Sequence, residues 1–291
     1  MRNPVIRKEM KISARSHKLI WGLFLFNGLM ALIGISTFHI MFTGNPTSLQ
    51  VNYQDVVELY DTMIALEFVL LSFLIPAETA GAISGERERQ TLDILLTTPL
   101  RTWEIVVGKL VASISTVLLY MFSGLPILSL AFLIGGVDLR DVLIFALYGC
   151  VYAIYIGSFG IFYSAFFKKT ITSIITTYGT LLGLSFLSMF MEFVYYVIQY
   201  NKVHPLQSGK VVGFGLFSPF LSVISLESGQ MGGSSSYEKW CLLGINRDSF
   251  WIQHVSAMEW FWISVVVQLI LALILLCLAV KVINPRNRKS L

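Results

Sequence analysis

The sequence predicts an all-α protein that crosses a membrane several times. Of its 291 residues, 55% are hydrophobic and only 13% are charged, whereas about 25% of the residues of a soluble globular chain are charged. The charged residues are clustered, so that long uncharged stretches lie between them. Because roughly 20 apolar residues in a helix cross a bilayer core, these stretches are long enough to span it. Lipid is therefore the expected surrounding of most of the chain.

Six segments are predicted to span the membrane. One of them, Leu59–Ile83, is apolar but contains the acidic residues Asp61, Glu67 and Glu78. The other five contain no Asp, Glu, Lys or Arg. These five are Leu19–Phe42, Leu110–Val137, Val142–Phe167, Thr170–Met191 and Trp260–Val280.

The basic residues predict how these spans are oriented. With six spans, most of the 21 Lys and Arg residues fall on the side that holds both termini. Cytoplasmic loops carry such an excess, so both termini are predicted to be cytoplasmic. The net charge of +4 reflects this topology, and no nucleic-acid partner is expected.

The whole chain, residues 1–291, is interpreted as one transmembrane domain with three special segments. Residues 1–18 are predicted to form an interfacial helix that begins near Pro4, with basic residues on one side and apolar residues on the other. A simple basic flank is the alternative interpretation. Residues 84–103 form a cytoplasmic segment. Residues 199–258 form an outer loop whose apolar stretch 211–226 is predicted to be re-entrant, because a seventh span would place the basic C-terminal tail outside.

The sequence contains none of the motifs that would indicate an enzyme or a nucleotide site. No GxxxxGK[ST], HExxH or GxSxG string occurs. The four histidines are scattered, and the three cysteines show no metal-binding spacing. We therefore expect no catalytic residue, no metal and no cofactor in this chain.

Two acidic residues of the second span are candidates for a translocation path. Glu67 and Glu78 are 11 residues apart, which places them on one face of a helix and about 16 Å apart along its axis. Ionisable groups inside a membrane are costly and often functional. The two residues could therefore line a path or a subunit seam, or they could simply reach the two membrane interfaces.

The segment after the second span is unusually polar and ends in a Thr-Pro break. Its charges alternate in sign from Glu86 to Arg89. A short helix is predicted over Gln90–Thr98, because Leu92, Leu95 and Leu96 have the i, i+3, i+4 spacing of one apolar stripe. A helix of two turns is unstable alone in water. The stripe must therefore be buried, either in the lipid interface or in a groove on another cytoplasmic protein.

This segment resembles the cytoplasmic signature of type-2 ATP-binding-cassette (ABC) permeases. That signature has alternating Glu and Arg, then Thr-Leu, a Leu pair, a proline and a later Gly-Lys. Gln90 stands where glycine is common in the signature, and Asp93 stands where glutamate is common. The N-terminal stretch NPVIRKEMKISARS also resembles the interfacial helix of the family. The matching residues are Glu86, Arg87, Glu88, Arg89, Thr91, Leu92, Leu95, Leu96, Pro99, Gly108 and Lys109.

The resemblance implies a non-catalytic permease subunit of an ATP-driven exporter in the cytoplasmic membrane of a prokaryote. A separate ABC ATPase subunit would bind ATP and Mg, and a second permease copy or paralogue would complete the path. The short helix would dock into a groove on the ATPase, with its three leucines as anchors. The residues implied in this coupling are Glu86, Arg87, Glu88, Arg89, Thr91, Leu92, Asp93, Leu95, Leu96, Pro99, Lys168 and Lys169. The weakly charged spans are compatible with amphipathic peptide or lipid-like cargo.

Two other classes of protein remain open from the residues alone. A stand-alone ion-coupled carrier or channel would use Glu67 and Glu78 as ion sites and would need no ATPase. A membrane anchor or sensor would transport nothing. The densely polar segment after the second span argues against an anchor, because an anchor needs no segment that couples its helices to a partner.

Overall fold

The structure is a computed structural model. It describes residues 4–44, 53–92, 97, 100–134, 138–200, 215–230 and 257–284. Its helices are α1 (Pro4–Ala14), α2 (His17–Gly44), α3 (Tyr53–Thr79), α4 (Ser84–Glu88), α5 (Thr102–Ile134), α6 (Leu139–Phe166), α7 (Thr170–Tyr200), α8 (Pro219–Gln230) and α9 (Ala257–Ile283). No strand occurs within these ranges, and the predicted all-α class is confirmed.

Six of these helices are long and apolar enough to cross a membrane, as predicted. Their candidate spans lie in α2, α3, α5, α6, α7 and α9. The second span extends further than predicted, over Leu59–Glu88, because the chain stays helical or turns tightly after α3. The first helix, α1, begins at Pro4, where proline's missing N–H costs nothing.

The bundle has a packed centre and a lipid-exposed periphery. In α5, 61% of the span is buried, whereas the buried share is 11% in α2 and 17% in α7. Aromatic rings join the central helices: Phe68 of α3 lies 4.8 Å from Tyr152 of α6, between ring centroids. Tyr148 of α6 lies 5.0 Å from Phe261 of α9. Edge-to-face pairs at these distances are favourable beyond their buried area.

A glycine allows α3 and α6 to lie close together. A Cβ atom on Gly160 would overlap Thr79 Oγ1 and would lie 2.8 Å from Thr79 Cβ. Small residues at such positions let membrane helices approach closely. This contact fixes the end of α6 beside the end of α3, where the polar segment begins.

The helix α8 lies inside the bundle, mainly against α9, and also contacts α6. At the deep end, Tyr155 donates a hydrogen bond to the carbonyl of Phe217 at 2.7 Å. At the other end, the Gln230 side chain donates to the carbonyl of Asp141 at 2.9 Å. Tyr155 and Asp141 are about 21 Å apart along α6 at 1.5 Å per residue. The predicted re-entrant element stays a prediction, because residues 211–214 of it lie outside the described residues.

Candidate functional site

The polar segment after α3 forms the short helix α4, and α6 supplies the cap at its beginning. The first amides of a helix have no partner within it, and the side chain of Ile83 makes no capping hydrogen bond. The Ser164 hydroxyl of α6 accepts the N–H groups of Ile83 and Ser84 at 2.8 and 2.9 Å. The beginning of α4 is therefore attached to the last turns of α6.

A left-handed residue ends α4. Gln90 has a φ of 59°. The N–H of Gln90 donates to the carbonyl of Arg87 at 3.1 Å, and the N–H of Thr91 donates to the carbonyl of Glu86 at 2.9 Å. These two bonds form a Schellman motif, in which glycine is favoured at the left-handed position.

The prediction of a helix from Gln90 is therefore wrong at its first residue, because Gln90 reverses the chain after α4. The motif also gives a physical reason why glycine is common here in the signature that the segment resembles. A glycine has no Cβ to clash in the left-handed region.

Replacing Gln90 by glycine should stabilise the fold. A non-glycine residue in the left-handed region costs roughly 1 kcal/mol, and the entropy lost by glycine offsets part of the gain. We expect a small rise in the thermal midpoint of the detergent-purified chain, measured by fluorescence-detected size exclusion. Gln90→Val should lower the midpoint, because a β-branched side chain tolerates a positive φ poorly. A lower midpoint for Gln90→Gly would contradict this account.

The first carboxylate of α4 joins a buried ion cluster. Glu86 Oε1 lies 2.8 Å from Lys109 Nζ of α5, and Glu9 Oε1 of α1 lies 3.4 Å from the same nitrogen. The Lys109 side chain is only 4% exposed. A hydrogen bond of 2.9 Å between the hydroxyls of Ser13 and Thr116 also joins α1 to α5. The helices α1, α4 and α5 are thus connected by charge and by hydrogen bonding.

The next two charges of α4 bind the facing ends of α6 and α7. Arg87 donates from Nη1 to the carbonyl of Phe167 and from Nη2 to the carbonyl of Ala165, both at 2.9 Å. Glu88 accepts the N–H of Thr170 at 2.8 Å and the Thr170 hydroxyl at 2.7 Å. A cation at a helix C-terminus and an anion at an N-terminus both complement the helix dipole. The alternating signs of α4 therefore match the two helix ends that it faces.

Comparison with protein families identifies the chain. The sequence model of the ABC-2 family transporter protein matches residues 3–283. The chain belongs to the ABC-2 transporter family. It is accordingly a multi-pass transmembrane permease of an ABC transporter, and its family implies association with an ABC ATPase subunit. Members of the family are typically non-catalytic membrane subunits. Comparison with curated proteins finds no match.

Apart from Leu92, the predicted coupling residues of this permease fall into three groups. Glu86, Arg87 and Glu88 bind other helices of the chain, as described above. Four residues are exposed at the same end of the bundle: Arg89, Thr91, Lys168 and Lys169. Four others lie outside the described residues: Asp93, Leu95, Leu96 and Pro99. Contact of any of these residues with an ATPase remains a prediction.

One predicted anchor of the permease is corrected by the structure. Leu92 is 2% exposed and packs in the hydrophobic core of the chain itself. It cannot at the same time fill a groove on a partner. The anchoring role stays a prediction for Leu95 and Leu96, which lie outside the described residues.

The two acidic residues of the second span lie in different surroundings. Glu67 is fully buried, and both of its carboxylate oxygens lack a hydrogen-bond partner among the described residues. A Cβ on Gly124 of α5 would lie 3.4 Å from Glu67 Oε2. Glu78 is exposed and lines a cavity near α4. Glu67 and Glu78 therefore have different environments, although their spacing places them on one face of the helix.

Sequence reasoning missed several residues that the permease uses at this site. Lys109 matches the signature, but its place in the sequence does not predict that it lies at the centre of an ion cluster. Glu9 had a usable signal, because it is the one acid within the basic stretch 1–18. Ser164 had none.

Proposed function

We propose that this permease is the membrane subunit of an exporter. In this proposal a separate ATPase subunit hydrolyses ATP with Mg, and the permease exports an amphipathic peptide or a lipid-like substrate. The observation that supports coupling is the set of contacts of α4. One five-residue helix binds α5, α6 and α7 directly, and Lys109 of α5 in turn binds Glu9 of α1, so that movement of α4 would be passed to four helices.

The segment that follows α4 is the proposed contact with the ATPase. Leu95 and Leu96 would enter a groove on the ATPase, and Arg89, Lys168 and Lys169 would lie at its rim. Rim charges contribute mainly to orientation and association rate. ATP binding can drive transport only if the ATPase binds one permease state more tightly than the other.

We further propose that two permeases, either identical or paralogous, form the path in the cytoplasmic membrane of a prokaryote, with the α4 end and both termini in the cytoplasm. The helix α7 supports the pairing. It exposes Gly179 and Gly183, and a Cβ at either position would meet nothing within 4 Å. Glycines four residues apart on an exposed membrane helix favour packing against another helix.

Glu67 is the proposed polar residue of the path. A buried carboxylate without a hydrogen-bond partner is costly, and inside a membrane such groups are usually retained for function. No described residue supplies a hydrogen bond that would explain it structurally. Glu78 is a weaker candidate for the path, because it is exposed at the α4 end.

The docking proposal is tested by the double variant Leu95→Asp and Leu96→Asp. Burying two carboxylates in an apolar groove is strongly unfavourable, so we expect loss of ATPase co-purification from membranes in mild detergent. The permease itself should remain inserted and monodisperse in gel filtration. The contrasting variant is Leu92→Asp, which should lower the yield of folded permease because Leu92 is in its core. Unchanged co-purification of the double variant would count against the docking site.

A further inference from the structure

A cavity with several charged side chains in its walls lies at the α4 end of the bundle, against α1. Its volume is about 790 Å³, and its walls come from α1, α3, α4 with the turn after it, and α5. Cavities that hold small molecules typically measure about 300–1,000 Å³. The cavity is therefore large enough for a ligand of several heavy atoms.

The charges that line the cavity are of both signs. Lys109 is buried there and already binds Glu9 and Glu86. Two further cations and one further carboxylate line the same space, namely Lys8, Arg89 and Glu78. All three of these side chains are exposed, and none belongs to the two ion pairs of Lys109. Lys8 and Arg89 are available to a ligand, and Glu78 interacts electrostatically with Lys18 as well.

The cavity lies where lipid headgroups are expected. The helix α1 has basic side chains together with exposed apolar ones, since Met10 is 46% and Ile12 is 57% exposed. A helix of this kind lies in the membrane interface with its apolar side towards the acyl chains. Ile12 also lines the cavity, so the space beside α1 adjoins both the apolar and the polar part of the interface.

We propose that this cavity binds a phosphoethanolamine group, as carried by phosphatidylethanolamine. Lys8 and Arg89 donate to the phosphate oxygens, and Glu78 accepts from the ammonium. Charge-assisted hydrogen bonds of this kind are among the stronger ones in proteins. A purely anionic group could pair only with Lys8 and Arg89, and a purely cationic one only with Glu78. A zwitterion can pair with both, so the mixed lining favours it.

This inference goes beyond the proposed export function and does not depend on it. A headgroup held here would touch α1, α3 and the turn after α4 at once. Bound lipid would therefore stabilise the arrangement of these elements, whichever cargo the transporter moves.

The test measures lipid retained by the purified full-length chain, using native mass spectrometry after exchange into detergent with equal amounts of phosphatidylethanolamine and phosphatidylglycerol. The wild type should retain phosphatidylethanolamine preferentially. Lys8→Ala should weaken its binding roughly tenfold, the scale of losing one charged hydrogen bond. The matched control is Lys11→Ala, which removes the same charge from an exposed position of α1 that does not line the cavity, and it should bind as the wild type does.

Glu78→Gln should abolish the preference for phosphatidylethanolamine over phosphatidylglycerol while leaving binding of phosphate-bearing lipid intact.

A titration of soluble phosphoethanolamine into the lipid-free chain distinguishes the two possible sources of the phosphoethanolamine group. If it binds as tightly as the lipid does, the ligand is the free ester; if only the lipid binds, the ligand is a membrane lipid. Equal retention of the two lipids by the wild type, or equal effects of Lys8→Ala and Lys11→Ala, would overturn the proposal. Neither outcome bears on ATPase co-purification, which is measured separately.

Discussion

Replacing Lys109 by methionine should destabilise the permease more than the loss of any exposed charge. Lys109 Nζ lies between Glu86 Oε1 and Glu9 Oε1, and its side chain is 4% exposed. Methionine fills a similar volume without a charge. The variant therefore removes the cation. The two carboxylates then face each other across the position that the Lys109 ammonium occupied.

The size of the effect follows from the burial of the cluster. Removing one partner of a buried ion pair typically costs about 3–5 kcal/mol, because an uncompensated charge stays behind. The carboxylates of Glu86 and Glu9 are 22% and 33% exposed, so water can solvate them in part. We therefore expect the free energy of unfolding to fall by about 2–3 kcal/mol, which is below the range for complete burial. The contact that joins α1 to α4 through Lys109 should also be lost.

The measurement is the thermal midpoint of the detergent-purified chain, with Lys168→Met as the matched control. Lys168 is exposed in the turn between α6 and α7, so its loss should change the midpoint little. Glu9→Gln should have a smaller effect than Glu86→Gln, because its contact is longer and more exposed. If Lys109→Met and Lys168→Met gave equal midpoints, the ion cluster would contribute nothing to stability.

The fold could be predicted from the sequence because it depends on a bulk property. A run of residues such as Thr170–Met191 must be a membrane helix, since lipid offers the backbone no hydrogen-bond partner. No tertiary information is needed for that step. The predicted and observed ends of this span agree at both residues, because charged residues or a turn begin where the apolar run stops.

The site could be predicted only in part, because its contacts join distant parts of the chain. The charges of α4 were recognised as a cluster, but Arg87 binds the carbonyl of Phe167, 80 residues away. The local sequence does not predict which helix end Arg87 will face. The helix prediction at Gln90 failed for a related reason: periodicity of leucines describes a face, and it cannot reveal that the preceding residue has a positive φ.

Replacing Gly160 by alanine is the second substitution expected to have a large effect. The added Cβ would overlap Thr79 Oγ1 and would lie 3.2 Å from the backbone nitrogen of Ala80. Rotation of the Thr79 side chain cannot relieve this, because Thr79 Cβ, at 2.8 Å, is fixed by its backbone. The helices α3 and α6 must therefore move apart. Overpacking of this kind costs about 1–3 kcal/mol.

The effect should extend to α4 as well as to stability. Gly160 lies one turn before Ser164, whose hydroxyl accepts the first amides of α4. A shift of α6 away from α3 would lengthen these bonds. We therefore expect Gly160→Ala to reduce ATPase co-purification in addition to lowering the thermal midpoint, provided that α4 transmits movement as proposed.

Substitutions at two other glycines test whether the loss of stability follows the severity of the steric overlap. At Gly28 of α2 an added Cβ meets nothing within 4 Å, so Gly28→Ala should be neutral or slightly stabilising through its better helix propensity. At Gly149 of α6 the added Cβ would overlap the sulfur of Met121, and this flexible side chain can adopt another rotamer. The loss of stability should thus increase from Gly28 to Gly149 to Gly160. The same loss at all three positions would mean that glycine matters there for the helix itself and not for the close approach of α3 and α6.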